Sequence, residues 1–65
     1  MFLIVSIANS LDKTFTYSYY QHVDRGCRVV VPFGKGNRKA IGVVIESSET
    51  TDLDPKKIKN IIEII

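Results

Sequence analysis

The chain opens on an apolar run, residues 1–8 (MFLIVSIA), rich in β-branched side chains and too short for a helix of ordinary length. It reads as a strand. Residues 9–13 (NSLDK) carry turn chemistry. Residues 14–20 then alternate: Phe15, Tyr17 and Tyr19 on one side, Thr14, Thr16 and Ser18 on the other. That period of two is the mark of a half-buried strand. Residues 21–26 are polar and end in Gly26, so they read as a loop.

Residues 27–31 form a third, valine-rich strand, closed by Pro32, which cannot donate to a ladder. Residues 33–39 (FGKGNRK) read as a loop, and residues 40–46 as a fourth strand that completes a hairpin. Gly42 inside that strand predicts a bulge, a bend or the close approach of another backbone. Residues 47–55 (SSETTDLDP) read as an exposed acidic loop. The last segment carries two signals. Ile58, Ile61, Ile62 and Ile65 have helical spacing, and Asp54-Pro55 resembles an N-cap followed by a first helical position. Isoleucine nevertheless packs best in sheets. The expectation is one helical turn over residues 55–57, then a fifth strand. The fold predicted is mainly β: a small curled antiparallel sheet or open β-barrel of about five strands with at most one short helical turn.

Length limits what such a sheet can do. The chain has 65 residues, enough for one domain whose core is marginal and far too few for a motor enzyme. Cys27 is the one cysteine, so an internal disulfide is impossible, and no CxxC or HxxxH pair suggests a metal site. The apolar start lacks a basic flank and is too short to span a bilayer. A soluble, cytoplasmic protein is expected.

Net charge is only +2, but its distribution is uneven. Arg25, Arg28, Lys35, Arg38 and Lys39 fall in a stretch without acids. Glu46, Glu49, Asp52 and Asp54 follow, and then Lys56, Lys57 and Lys59. Such asymmetry fits a nucleic-acid face and equally a solvated surface. In the GKGNRK loop, glycines allow close backbone approach to an anion, and Lys35, Arg38 and Lys39 offer charge to phosphates. The plain alternative is a hairpin loop with solvated charges. GxxxxGK[ST] is absent, so ATP binding by this chain is not expected. Aromatics beside cations can stack bases. Most here share the core side of one strand; Tyr20 and Phe33, at strand ends, are better placed for exposure. His22 and Asp24 read as loop residues and not as a catalytic dyad, since no nucleophile elbow accompanies them.

Three stretches together resemble one known family. They are Leu11-Asp12-Lys13-Thr14-Phe15-Thr16-Tyr17; Gly26-Cys27-Arg28-Val29-Val30-Val31-Pro32-Phe33-Gly34-Lys35; and Ile41-Gly42-Val43-Val44, followed after the acidic loop by Ile58-Lys59. The second is similar to a G-x-R-V-x-V-P-F-G-R/K block. The family is the N-terminal, 3′-end DNA-binding domain of the bacterial replication-restart helicase PriA (primosomal protein N′). The resemblance implies a DNA-binding module, not itself an enzyme, that grips the 3′ end of the nascent leading strand at a stalled fork. It places Phe15, Thr16, Gly34 and Lys59 in the end-binding pocket. It implies DNA with free 3′ ends, the other domains of the same polypeptide, single-stranded DNA-binding protein and primosome proteins as partners. By the same resemblance, ATP-driven helicase activity, with its magnesium, and zinc binding are expected of domains outside this chain. Thr16 stands where the family carries an acidic residue, and offers a neutral, weaker acceptor for a 3′-hydroxyl. The competing expectation is a small β-barrel for packing or protein contacts, using an exposed apolar tail at residues 61–65, with no DNA end specificity.

Overall fold

The computed structural model describes residues 1–8 and 13–65. The turn expected at residues 9–13 lies mostly outside the described residues, as do Leu11 and Asp12 of the first resemblance stretch. Five strands form one sheet in the order β2-β1-β4-β3-β5. They are β1 (Phe2–Ile7), β2 (Thr14–Ser18), β3 (Arg28–Phe33), β4 (Arg38–Ser48) and β5 (Glu63–Ile64), with a 3₁₀ turn at Pro55–Lys57. All neighbouring strands run antiparallel.

Alternation sorts the side chains as the pattern predicts. Leu3, Val5 and Ile7 of β1, Tyr17 of β2, Val29 and Val31 of β3 and Val44 of β4 point into one core. Phe15, Tyr19 and Phe33 pack on its margin. Gly42, paired with both Ile7 and Val29, is a place of close approach. A Cβ there would lie 2.4 Å from Val5 Cγ1 and 2.9 Å from the Ser6 carbonyl oxygen. The register break between β1 and β4 falls elsewhere, between Ile4 and Val5, opposite Glu46 and Val44.

Several boundaries differ from the sequence reading. β2 stops at Ser18, so Tyr19 and Tyr20 lie beyond it. The loop of residues 21–26 is not wholly polar: Val23 is buried and joins the core. β4 runs on through Ser47 and Ser48, where it continues to pair with β1. Pro32 does not end β3; it pairs with Lys39, and Phe33 with Arg38, so the loop shrinks to residues 34–37. Val30 sends its carbonyl outward to Ile62 N–H at 2.8 Å. Pro32, two residues on, turns its nitrogen to that same open edge. The N–H it lacks is therefore not needed by β4.

The end of the chain matches expectation in type. Asp54 caps the 3₁₀ turn, its side chain accepting from Lys56 N–H at 3.0 Å, and Pro55 opens it. Beyond the turn the chain is extended. Ser18 N–H donates to the Lys59 carbonyl at 2.9 Å, and Ile61 N–H to the Ser18 carbonyl at 3.0 Å. Ile62 and Ile65 N–H then donate to Val30 and Arg28 carbonyls. One short segment thus binds the edge of β2 and, further along, the edge of β3. The sheet is the curled, open one expected; β2 and β3 are bridged only at one end, so it does not close into the small β-barrel of the competing expectation. The tail is also less exposed than expected: Ile61 is 7% exposed and belongs to the core, while Ile62, Ile64 and Ile65 remain outside.

Candidate functional site

Where β2 and the stretch of β3 that β5 leaves uncovered fail to meet, a cleft of about 370 Å³ opens, lined by Phe15, Thr16, Tyr17, Pro32, Phe33, Gly34, Lys57 and Lys59. Its walls follow from the pairing. Ser18 uses both backbone groups on the C-terminal segment. Thr16, two residues earlier on the same edge and opposite Ile4 of β1, turns its own N–H and carbonyl the same way. Thr16 therefore offers the cleft a backbone donor and a backbone acceptor. Facing it, Tyr17 O–H donates to the Pro32 carbonyl at 2.8 Å and ties the strands across the gap. Burial pushes the Tyr17 phenol above its ordinary 10.0, so at neutral pH it is a hydrogen-bond donor. Phe15 and Phe33 meet edge to face, ring centres 5.0 Å apart at 78°, which gives the cleft an apolar wall.

The hairpin turn forms the rim. Asn37 N–H donates to the Gly34 carbonyl at 3.2 Å, and Gly34, Gly36 and Asn37 all adopt positive φ, at 69°, 85° and 51°. Glycine relieves two of these positions of strain, and asparagine tolerates the third. A Cβ on Gly34 would meet nothing within 4 Å, so the turn demands glycine for its dihedral while leaving open space beside it. Lys59 reaches across from the C-terminal segment, and its Nζ donates to Asn37 Oδ1. That partner is a neutral amide, so the lysine keeps its whole charge for an incoming anion.

A second cleft, about 540 Å³, adjoins the first through Phe33 and Gly34 and is lined further by Lys35, Arg38, Lys39 and Ala40. Exposed His22 Nε2 and Asp24 Oδ1 lie 3.0 Å apart, and neither residue lines either cleft. No carboxylate among the described residues pairs with the five cations of the two clefts. The residues expected to act together are brought together: Phe15, Thr16, Gly34 and Lys59 share the first cleft, and Lys35, Arg38 and Lys39 share the second. Lys57, Pro32 and Asn37 were not singled out. Lys57 had a signal in the cluster of Lys56, Lys57 and Lys59; Asn37 had none, since its part depends on the hairpin meeting the tail.

Fold and site together describe a small, unclosed β-domain whose adjoining clefts combine aromatic side chains with five cations that no described carboxylate pairs, the make-up common in nucleic-acid-binding domains. The family follows from sequence: the chain belongs to the PriA 3′ DNA-binding domains (3′BD), whose family model matches residues 3–65. Comparison with curated proteins finds no match.

Proposed function

We propose that this domain takes the 3′ terminus of a DNA strand into the first cleft and runs the preceding phosphates over the second, as the DNA-reading part of a replication-restart helicase at stalled forks. The observation that carries the reading is the shared cleft of Phe15, Thr16, Gly34 and Lys59 at the gap between β2 and β3. Phe15 and Phe33 wall the terminal nucleotide. Gly34 lets sugar and base approach the backbone. Lys59 meets a phosphate as a point charge. The backbone carbonyl of Thr16 accepts the one proton of the 3′-hydroxyl, a neutral acceptor in place of the family's carboxylate. An internal linkage would bring a further phosphate against the Thr16 carbonyl and be rejected. Base preference is low, because an apolar wall reads a π-face and not an edge.

Fluorescence anisotropy with two oligonucleotides of one sequence, one ending in a 3′-hydroxyl and one in a 3′-phosphate, tests the reading. The hydroxyl end should bind severalfold tighter, and Lys59→Ala should weaken it. Equal affinity for the two ends would leave only generic electrostatics.

A second reading concerns the opposite face. Ile41, Val43 and Ile45 of β4 stand exposed at 56%, 40% and 38%, and Val30 lies beside Ile41. This apolar stripe suits packing against other domains of the same polypeptide. It leaves the cleft free, so the two readings are compatible.

A further inference from the structure

We infer that Tyr20 and Tyr19 form a separate shelf that stacks an unpaired nucleobase, distinct from the cleft that takes the strand terminus. The inference rests on the DNA reading above but uses none of the same side chains. Where β2 ends at Ser18, the chain bends. Two consecutive aromatics, which in a strand would point apart, instead lie with ring centres 4.5 Å apart and planes tilted by 42°. Tyr19 packs on the core margin and anchors the pair. Tyr20 is 79% exposed.

A lone exposed tyrosine would mean little. This one borders a cleft of about 410 Å³ whose other walls are Ser18, Tyr19, Asn60 and Ile61. Ile61 is buried and supplies an apolar wall. Asn60 Oδ1 accepts from Ser18 Oγ, which fixes the amide and leaves its NH₂ group to donate. The site therefore combines an aromatic face, an apolar wall and an amide donor at the rim. Those features suit a flat heteroaromatic ring with polar edges. Among the described residues no lysine or arginine lines it, so it suits the base and not the phosphate of a nucleotide.

Its place supports the same ligand. Thr16, Tyr17 and Lys59 line the terminus cleft, while Ser18, Tyr19, Asn60 and Ile61 line the shelf. The two are successive stations along one seam, stitched by the Ser18–Lys59 and Ile61–Ser18 backbone bonds. From Thr16 to Tyr19 the seam advances roughly 10 Å. The basic cleft departs from the terminus cleft through Phe33 and Gly34 instead. The base on the shelf thus comes either from the same strand, folded back along the seam, or from a template strand that continues past the terminus.

Anisotropy titrations of the chain, its Tyr20→Ala variant and its Tyr20→Phe variant separate these cases. The probes are a dinucleotide, a single-stranded hexanucleotide, and a primer–template duplex with an unpaired template extension beyond the primer's 3′-hydroxyl. Tyr20→Ala should bind the hexanucleotide or the extended duplex roughly tenfold more weakly. Its dinucleotide affinity and salt slope should be unchanged, and Tyr20→Phe should match wild type. Loss on the hexanucleotide assigns the base to the same strand; loss on the extended duplex alone assigns it to the template. If Tyr20→Ala binds every probe like wild type while 3′-hydroxyl preference persists, the shelf is wrong and the terminus cleft stands. An equal loss on the dinucleotide also overturns the shelf, by placing the effect in the terminus cleft. If wild type binds none of the probes, both readings fall. Tyr20 is too exposed for its loss to unfold the chain, and an unchanged melting temperature checks this.

Discussion

Tyr17 is 5% exposed, and its hydroxyl holds Pro32 across the cleft, so one side chain serves both the core and the site wall. Its phenol titrates above the ordinary 10.0 because it is buried. As pH rises, the unfolded chain therefore loses this proton before the folded one does. Tyr17's contribution to stability is whole below about pH 10 and is lost as pH climbs toward the folded value. Tyr17→Phe should cost about 1 kcal/mol near neutrality through the missing hydrogen bond, and should reduce the expected loss of stability at alkaline pH, both measured by urea melts. An unchanged decline would assign it to other groups. Asn37 makes a second prediction at this scale. Asn37→Asp keeps a residue that tolerates positive φ but pairs the Lys59 charge. Oligonucleotide affinity should fall severalfold and the salt slope should shrink by up to about one charge's worth. Asn37→Gly, which keeps the turn and frees the lysine, should leave the slope in place.

At the scale of elements, the segment after the 3₁₀ turn organises the site. It crosses from β2 to β3, bonding Ser18 and then Val30 and Arg28, and so carries Lys59 to the cleft mouth. Its anchor is Ile61, at 7% exposure, whereas Ile65 is 58% exposed. Ile61→Ala should destabilise the fold by about 2–4 kcal/mol, and Ile65→Ala by no more than about 0.5 kcal/mol, measured by urea unfolding. A similar cost for both would mean that the tail packs otherwise. The element was legible in type: the Asp54-Pro55 cap and the surplus of isoleucine pointed to a turn and then a strand. Its double pairing was not, because no local pattern says which edges a strand will find. Val23 was missed for a related reason. A single valine between polar neighbours has no period, and only the chain's path over the core buries it.

For the whole molecule, the incomplete closure of the sheet is what makes a site. A closed barrel of these strands would fill the gap with ladder hydrogen bonds, and Thr16 would have no backbone groups to offer. Charge is arranged on the same side: Lys57 and Lys59 line one cleft, and Lys35, Arg38 and Lys39 its neighbour. The two sets should separate in experiment. Replacing Lys35, Arg38 and Lys39 with glutamine should lower the salt slope of single-strand binding by up to roughly 2. The preference for a 3′-hydroxyl over a 3′-phosphate should persist if, as proposed, that choice is made between Thr16 and Gly34. Loss of the preference would merge the two clefts into one electrostatic surface.

Periodicity and turn chemistry alone determined the number and approximate places of the strands, the inward face of Phe15 and Tyr17 and the capped turn at Pro55, and at Gly42 they left a bulge, a bend and a close approach open. These are local consequences of side-chain direction and backbone dihedrals, which neighbouring residues dictate. The resemblance stretches named which positions to watch, but not how they meet. Only the tertiary structure decided that Pro32 faces an open edge, that Asn37 holds Lys59, and that Thr16 turns its backbone toward a gap. Each depends on which strands lie at the edges and how far one short tail can bridge them, and sequence-distant hydrogen bonds settle that.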